Sequence, residues 1–421
     1  MSRARQIAAL AASEPGGALV WLDGGDGRGF VALEPDIEIV ADDLEGLAAV
    51  EALWRAEPEF PWFGWLTYEV GTAALLGRPP VAATLPGLVL RRYRAALELG
   101  ERERIVGDPR AGAALMARLE RGSWPSGQSW PLGPVEAQVA ADDYRARVRQ
   151  AQAFIAAGET YQINLTQPFV AEWLPEWAGR PLAARAAAVY AALQAATPAS
   201  MGALLAVETG RPCGRWVISN SPETLLAIEL GAGEDGGDLA RSWPIKGTRP
   251  RGSDPERDRA AQEALKQSTK DLAEHVMIVD LVRSDLGRLA RPGSVRAPAR
   301  PELVTLPTVH HLVSEVRCTL RPDWSLAEVI AAVFPGGSVT GAPKRRTVEH
   351  IERLEQRVRG IYCGAIVALT PDGLRCSIPI RTGVADAAGL WLQSGGGIVI
   401  DSDPEAERRE CWAKMRAFER E

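Results

Sequence analysis

The stretch RSWPIKGTRPRG, residues 241–252, sets Lys246 between Ile245 and Gly247-Thr248, with Arg249 and Arg251 just beyond. Two readings fit it. Pro and Gly punctuate chains wherever they turn, so it can be a basic surface loop; or the lysine is placed for chemistry on an anionic substrate. Carboxylates occur in two other segments. In DLAEHVMIVDLVRSDLGR, Glu274 precedes His275 on a helix whose next residues are continuously apolar. A carboxylate entering a buried helix needs a partner, a proton or a metal, and an ion pair with a nearby arginine serves as well as a metal. In DSDPEAERRECWAKMRAF, Glu407, Glu410 and Lys414 are three and four residues apart, which groups them on one side of a helix. They are solvent ion pairs, or carboxylates suited to a hard cation such as Mg²⁺, which retains waters and binds substrate oxygens. HExxH and CxxC are absent from the sequence, which argues against zinc.

Two glycine-rich pieces fail the nucleotide patterns. GGSVTGAPK has Ala342 after Gly341 where a phosphate loop needs lysine, and SGGGIVI precedes a strand rather than opening a helix. Both still let backbone amides approach an anion closely. His310 and His311 are adjacent, so in a strand they face opposite ways and at most one enters a shared pocket.

The elements that must position these residues read as follows. Residues 1–100 are strand-rich, with ALVWL, FVALE, FGWLTYEVG and LVLRRYRAALEL. Residues 120–139, dense in Gly, Pro and Ser, read as a linker closing an N-terminal part (1–139) ahead of a catalytic region (140–421). Asp143 caps a helix ending at Gly158; TYQINLTQPFVA is a strand and residues 181–198 a helix. WVISNSPETLLAIEL gives two strands joined at Ser-Pro-Glu, followed by an acidic hairpin tip. One long helix is expected over 254–286, with Leu265, Leu272, Val276, Val279 and Leu286 on its buried stripe. Strands and two helices alternate through the final third, and a last helix spans 404–419 behind Asp403 and Pro404. Without regular βαβ spacing, the pattern favours a large α+β domain over a Rossmann arrangement.

A chain of 421 residues with 46% hydrophobic and 24% charged residues is ordinary for a globular protein. A net charge of -6 argues against general nucleic-acid binding. Five cysteines without a CxxC pair fit a reducing compartment. No run of 18 apolar residues suggests a membrane span, and the N-terminus is too weak for a secretory signal. A cytoplasmic protein is expected.

The motifs YQINLTQ, SNSPE, PIKGTRPRG, DLAEHVMIVDLVRSDLGR, VHHLVSEV, FPGGSVTGAPK, IYCGAI, SIPIRT, SGGGIVIDSDPEAE and ECWAK stand here in one order. In that order the chain resembles the chorismate-utilising enzymes, strongly over about 140–421 and more loosely before, where FPWFGWLTYEVG is similar to an aromatic-glycine strand of the family. The resemblance implies two antiparallel sheets packed together with helices outside. It implies Mg²⁺ held by Glu274 and Glu410, with Glu407 reaching it through water. It also implies chorismate contacts from Gln162, Thr248, His311, Ser338, Tyr362, Arg381, Lys414 and the amides of Gly395, Gly396 and Gly397. Glu223 of SPE matches the general acid that assists departure of the C4 hydroxyl.

Gln162 stands where the isochorismate and salicylate branch has a water-activating lysine. Lys246 stands where the anthranilate branch has alanine, and PIKGT is the feature of the aminodeoxychorismate branch. The implied chemistry is amination of chorismate at C4, with Lys246 adding covalently at C2 in a step that needs a neutral amine, toward para-aminobenzoate and folate. Arg249 and Arg251 would favour that neutral form if close. Anthranilate formation is the alternative, and a non-catalytic chorismate-binding relative a remote one. Ser284 departs from the Asn of the family's RND motif, and no tryptophan-site motif is found. No glutaminase residues are found either, so ammonia is expected free or from a separate glutamine amidotransferase subunit.

Overall fold

The computed structural model describes residues 3–13, 19–23, 29–122, 124, 129–209, 214–306 and 309–420; Cys213 lies outside them. Period-two alternation governs the first strands. Val20 and Leu22 join a cluster with Phe30, Phe63, Trp65, Val89, Tyr93, Ala203, Val217 and Ile366, while Trp21 points into a different one. These residues come from two sheets. Among the described residues the larger has eleven strands and the second has eight, every pairing within them antiparallel. The sheets pack face to face over this cluster, and each turns its other face to helices, giving two outer cores. The expected pair of packed antiparallel sheets flanked by helices is the fold found.

Sequence order and sheet order differ widely. Gln162–Trp173 pairs with Gly389–Ile398 near one edge of the larger sheet, and Trp62–Leu66 pairs with Ala365–Thr370 in the second. A third, three-stranded sheet carries Ile245–Pro250 beside Val309–Val313, with Glu302–Thr305 outermost.

Several elements depart from the sequence expectations. Part of the stretch read as a linker is a strand, Leu132–Ala137, paired with Gln162–Trp173. The strand FGWL ends at Leu66, and Tyr68–Leu76 is helical, stopped by Gly77 at φ +69°. The helix expected behind Asp143 begins at Ala141, with no side-chain cap. The long helix over 254–286 is two, Pro255–Lys266 and Thr269–Gly287. Ser268 makes the break, its Oγ accepting from the Asp271 amide as an N-cap. Val276, placed on the buried stripe, is 53% exposed; the second helix buries only the side bearing His275, Ile278, Val279, Asp285 and Leu286. The last helix, expected over 404–419, spans Pro404–Met415 and passes into a 3₁₀ turn, Arg416–Phe418. Asp403 does cap it, accepting from the Ala406 amide.

Candidate active site

Lys246 lies in the strand Ile245–Pro250, where Gly247 is an extra residue: Lys246 faces Leu312 and Thr248 faces His311 across the pairing. Gly247 has φ +81°, and a Cβ there would lie 2.9 Å from Leu265 and 3.2 Å from Asp271, one on each neighbouring helix. Glycine is therefore required for both conformation and space. The bulged strand leaves Lys246 facing the Thr269–Gly287 helix, with Nζ 3.8 Å from Glu274 Oε2 and both side chains 19% exposed. Arg249 and Arg251 are each paired with a carboxylate. Arg249 donates to Asp271 at 2.7 Å and Arg251 to Asp258 at 2.8 Å, so each carries its own counter-charge.

Glu223 sits in the turn between the strands Trp216–Ser221 and Thr224–Glu229, buried, with Ser338 Oγ donating to its Oε1 at 2.5 Å. Burial lifts its carboxyl above the ordinary range; the Ser338 hydrogen bond and the charges of Lys246, Lys414 and Arg381 pull the other way without winning. A carboxyl whose pKa is raised by burial is suited to donate a proton to a departing oxygen. Arg381 has φ +49°, and its charge reaches His311 as well as Glu223. His311 is buried, its Nδ1 2.8 Å from Thr248 Oγ1, and burial first and Arg381 second keep the imidazole neutral to a lower pH than usual. His310 faces the other way, toward Thr305 and Asp258, as strand alternation requires.

The glycine run occupies the strand Gly389–Ile398, with Gly395, Gly396 and Gly397 opposite Thr166, Leu165 and Asn164. On the other side the neighbouring strand Thr382–Ala385 pairs only as far as Leu392. Alternate amides of the run therefore face a side with no strand partner, beside Arg381. A Cβ on Gly397 would meet the Gln162 side chain at 2.9 Å, and one on Gly396 would meet Glu407 Oε2 at 2.8 Å. Gln162 is fully buried, yet neither its Oε1 nor its Nε2 has a hydrogen-bond partner. A buried amide left so costs on the order of 1–3 kcal/mol, which a polar ligand would remove.

The helix Pro404–Met415 brings up the remaining carboxylates. Glu407 is buried and accepts from Ser402 at 2.7 Å; burial raises its pKa, and Glu410 adds to the rise against the Ser402 bond. For Glu410, burial is outweighed by Lys414, Lys246 and Lys270, and the carboxyl stays ionised below its usual range. Lys414 Nζ lies 2.7 Å from Glu410 and donates to Gly395 O at 2.7 Å, which ties helix to glycine run. Tyr362 is buried in the wall near Cys363, Arg359 and Cys411, with its phenol held far above the usual range by burial.

Fourteen of the fifteen positions are thus tied together, from the three-stranded sheet, two strands of the larger sheet, two helices, the turn of Glu223, the 3₁₀ turn of Ser338 and Arg381 just before the strand Thr382–Ala385; Tyr362 lies instead among Cys363, Arg359 and Cys411. Among the described residues no group of three or more His, Cys, Asp or Glu is placed to cage an ion by itself. Glu274 and Glu410 share the charges of Lys246 and Lys270, and Glu407 and Glu410 lie beside the bare Cα of Gly396, so the set offers oxygen donors only. That fits an ion that binds through one or two carboxylates and completes its shell with water and substrate.

Sequence reasoning missed the groups that hold this site in register. Arg359 and Glu355 form a buried pair at 2.7 Å, each side chain 1% exposed. The guanidinium also donates to Val339 O and Asn164 O, and Glu355 accepts from the Thr166 amide. It thereby locks the loop bearing Ser338 to the strand bearing Gln162. Lys344 donates to Asp285 at 2.8 Å, also buried, fixing the other end of that loop to the helix bearing Glu274. His275 bonds Ser314 at 2.8 Å beneath Lys246. The only sequence signal was the i,i+4 spacing of Glu355 and Arg359.

Residues 20–420 match the family of chorismate binding enzymes. The aminodeoxychorismate synthase component 1 of Klebsiella aerogenes is 36% identical over 86% of this chain and 78% of its own length. The anthranilate synthase component 1 of Streptomyces coelicolor is 38% identical over 69% of this chain, which spans only 52% of that relative. Among solved structures, anthranilate synthase component I from Streptococcus pneumoniae superposes with a TM-score of 0.76 at 24% identity, covering 93% of this chain and 92% of the other. At that identity the likeness concerns fold. No helix among the described residues is long and apolar enough to cross a membrane.

Proposed function

Because the chain belongs to the chorismate binding enzyme family, we propose that it aminates chorismate at C4, giving 4-amino-4-deoxychorismate. The observation that carries this reading is Lys246, whose amine stands between the buried acid Glu223, which feels its charge, and Glu274, 3.8 Å away. Alanine at that position would offer no nucleophile, and lysine at position 162 would offer a base for water; this chain has Lys246 as a nucleophile and Gln162 in place of the base.

In this reading the Lys246 amine forms a bond to C2 while the ring double bond shifts and the C4 hydroxyl departs, taking a proton from Glu223 to leave as water. Ammonia then adds at C4, the double bond returns, and the lysine amine is expelled. The net change is chorismate plus ammonia to aminodeoxychorismate plus water. Arg381, the amides of the glycine run, the Gln162 amide and the Thr248–His311 pair hold the substrate's carboxylates and ring. Glu274 and Glu410 would hold Mg²⁺, which neutralises a substrate carboxylate and orients it. Ammonia comes free or from a separate glutamine amidotransferase, and in this reading the enzyme works in the cytoplasm, toward para-aminobenzoate and folate.

Anthranilate is the second reading, favoured by the Streptomyces relative's 38% identity. One incubation separates them: protein, chorismate, Mg²⁺ and ammonium salt at alkaline pH, with products resolved by chromatography and mass. Aminodeoxychorismate supports the proposal; anthranilate, lighter by the lost pyruvate, refutes it. Wild-type amination by Lys246→Ala would overturn the covalent route even with the proposed product.

A further inference from the structure

The two oxygens of Glu274 each face a different ammonium. Oε2 is 3.8 Å from Lys246 Nζ, and Oε1 is 3.9 Å from Lys270 Nζ. Lys414 stands likewise 2.7 Å from Glu410 Oε1. Three lysines therefore face the carboxylates that would take a divalent cation.

Lys270 has no part in the proposed chemistry, and its position is poor for the helix it sits on. It is the second residue of Thr269–Gly287, where the helix dipole disfavours a cation. Its pairing with Glu274 runs Lys-to-Glu at i,i+4, the weaker direction for such pairs. At 65% exposed it adds little by packing. Helix stability therefore gives no reason for a lysine there, whereas the carboxylate cluster does: its charge reaches Glu407 and Glu410 as well as Glu274.

We infer that Lys246 and Lys270 are built-in counter-ions that compete with the divalent metal for Glu274, so that metal binding and release of Lys246 from Glu274 are coupled. A metal ion reaching either oxygen of Glu274 must displace the ammonium facing it. By linkage, the factor by which the Lys246–Glu274 pair weakens metal binding is the factor by which bound metal weakens that pair. The nucleophile is then engaged when the metal is absent and free when it is bound. This rests on the reading of Glu274 as a metal ligand.

The test is a titration of the full chain with Mn²⁺ alone, following free Mn²⁺ by electron paramagnetic resonance. Lys270→Met keeps the stem and removes the charge, and should bind Mn²⁺ roughly two- to fivefold more tightly, the range for an exposed ion pair. Lys246→Met, less exposed, should gain at least as much. Lys270→Arg should keep the wild-type affinity, and so should Lys266→Met, whose partner is Glu263 on the preceding helix. Unchanged or weaker binding in Lys270→Met and Lys246→Met would overturn the inference, as would an equal gain in Lys266→Met. If wild type does not bind Mn²⁺ saturably, or Glu274→Gln binds it equally well, the metal reading itself fails and takes this inference with it.

Discussion

Replacing Ser338 by alanine perturbs the proposed acid without touching the proposed nucleophile. Ser338 Oγ donates to Glu223 Oε1 at 2.5 Å, and the carboxyl is buried. A hydrogen bond to a charged group contributes about 1.5–3 kcal/mol. At 1.36 kcal/mol per pKa unit, its removal should raise the Glu223 pKa by about one to two units. The sign follows from which form the bond favours. The hydroxyl donates to the carboxylate, so losing it favours the protonated acid and moves the pKa further in the direction burial already drives it. A general acid works while protonated, so the alkaline limb of kcat/KM should move up by the same amount. The assay is the pH profile of kcat/KM for chorismate at fixed total ammonium in both proteins. The ratio of the two profiles cancels the ionisation of ammonia and isolates Glu223. A ratio that is flat with pH, or a limb that moves down, would refute the assignment of Glu223 as the acid.

Gly396→Ala should fold, because its Cβ meets the end of a flexible side chain, Glu407 Oε2 at 2.8 Å. Misplacing that carboxylate should cost about 10²-fold in kcat/KM, whereas Gly395→Ala, 2.2 Å from Leu165 O, should destabilise the sheet measurably in urea. Lys344→Met should destabilise by about 1.5–3 kcal/mol in urea unfolding, since it removes one of two partners of the buried Asp285 and leaves Arg288 at 3.1 Å; Asp285→Asn added to it should restore part of the loss. Glu223→Gln should raise Tm at pH 8. The folded-state pKa of Glu223 lies above its unfolded value, so the wild type is favoured at low pH and loses stability as pH rises through the folded pKa; the variant's advantage should shrink toward pH 4.

Part of the chemistry was legible in residue types and spacing, whereas Gln162, Glu223, Thr248, Ser338, Tyr362 and Arg381 came from the family resemblance alone. Lys246 beside Gly247, Glu274 beside His275 and the run Gly395–Gly397 could all be singled out before any contact was known. Strand identity was legible from apolar, aromatic and β-branched composition, as in ALVWL, but the division of Trp21 from Val20 and Leu22 between two cores was not, because all three are apolar. The break at Ser268 was not, because the apolar stripe continues in register across it and only the side-chain cap marks the new start. Tyr68–Leu76 read as strand because its aromatic and β-branched residues are buried on most sides, which leaves little periodicity to distinguish helix from sheet. The exposure of Val276 follows from tertiary placement, since its helix lies along the pocket rim rather than inside a core. The buried pairs Glu355–Arg359 and Asp285–Lys344 depend on which loops meet, and only the first has a local spacing to suggest it.

The pairing of Trp62–Leu66 with Ala365–Thr370, and of Gln162–Trp173 with Gly389–Ile398, has a consequence during synthesis. At roughly 5–20 residues per second, the early strands wait tens of seconds for partners. Until then Trp62, Phe63 and Trp65 lie on strands with one edge open, a state prone to pairing with other chains. The pocket itself closes last. Its floor is the strand Gly389–Ile398, and Glu407, Glu410 and Lys414 follow it out of the ribosome, so an interrupted chain carries the Lys246 amine with no Glu410 or glycine run to work against. A truncated product is thus inert toward chorismate but exposed to aggregation, and expression should gain more from chaperone supply and slow growth than from trimming the C-terminal helix.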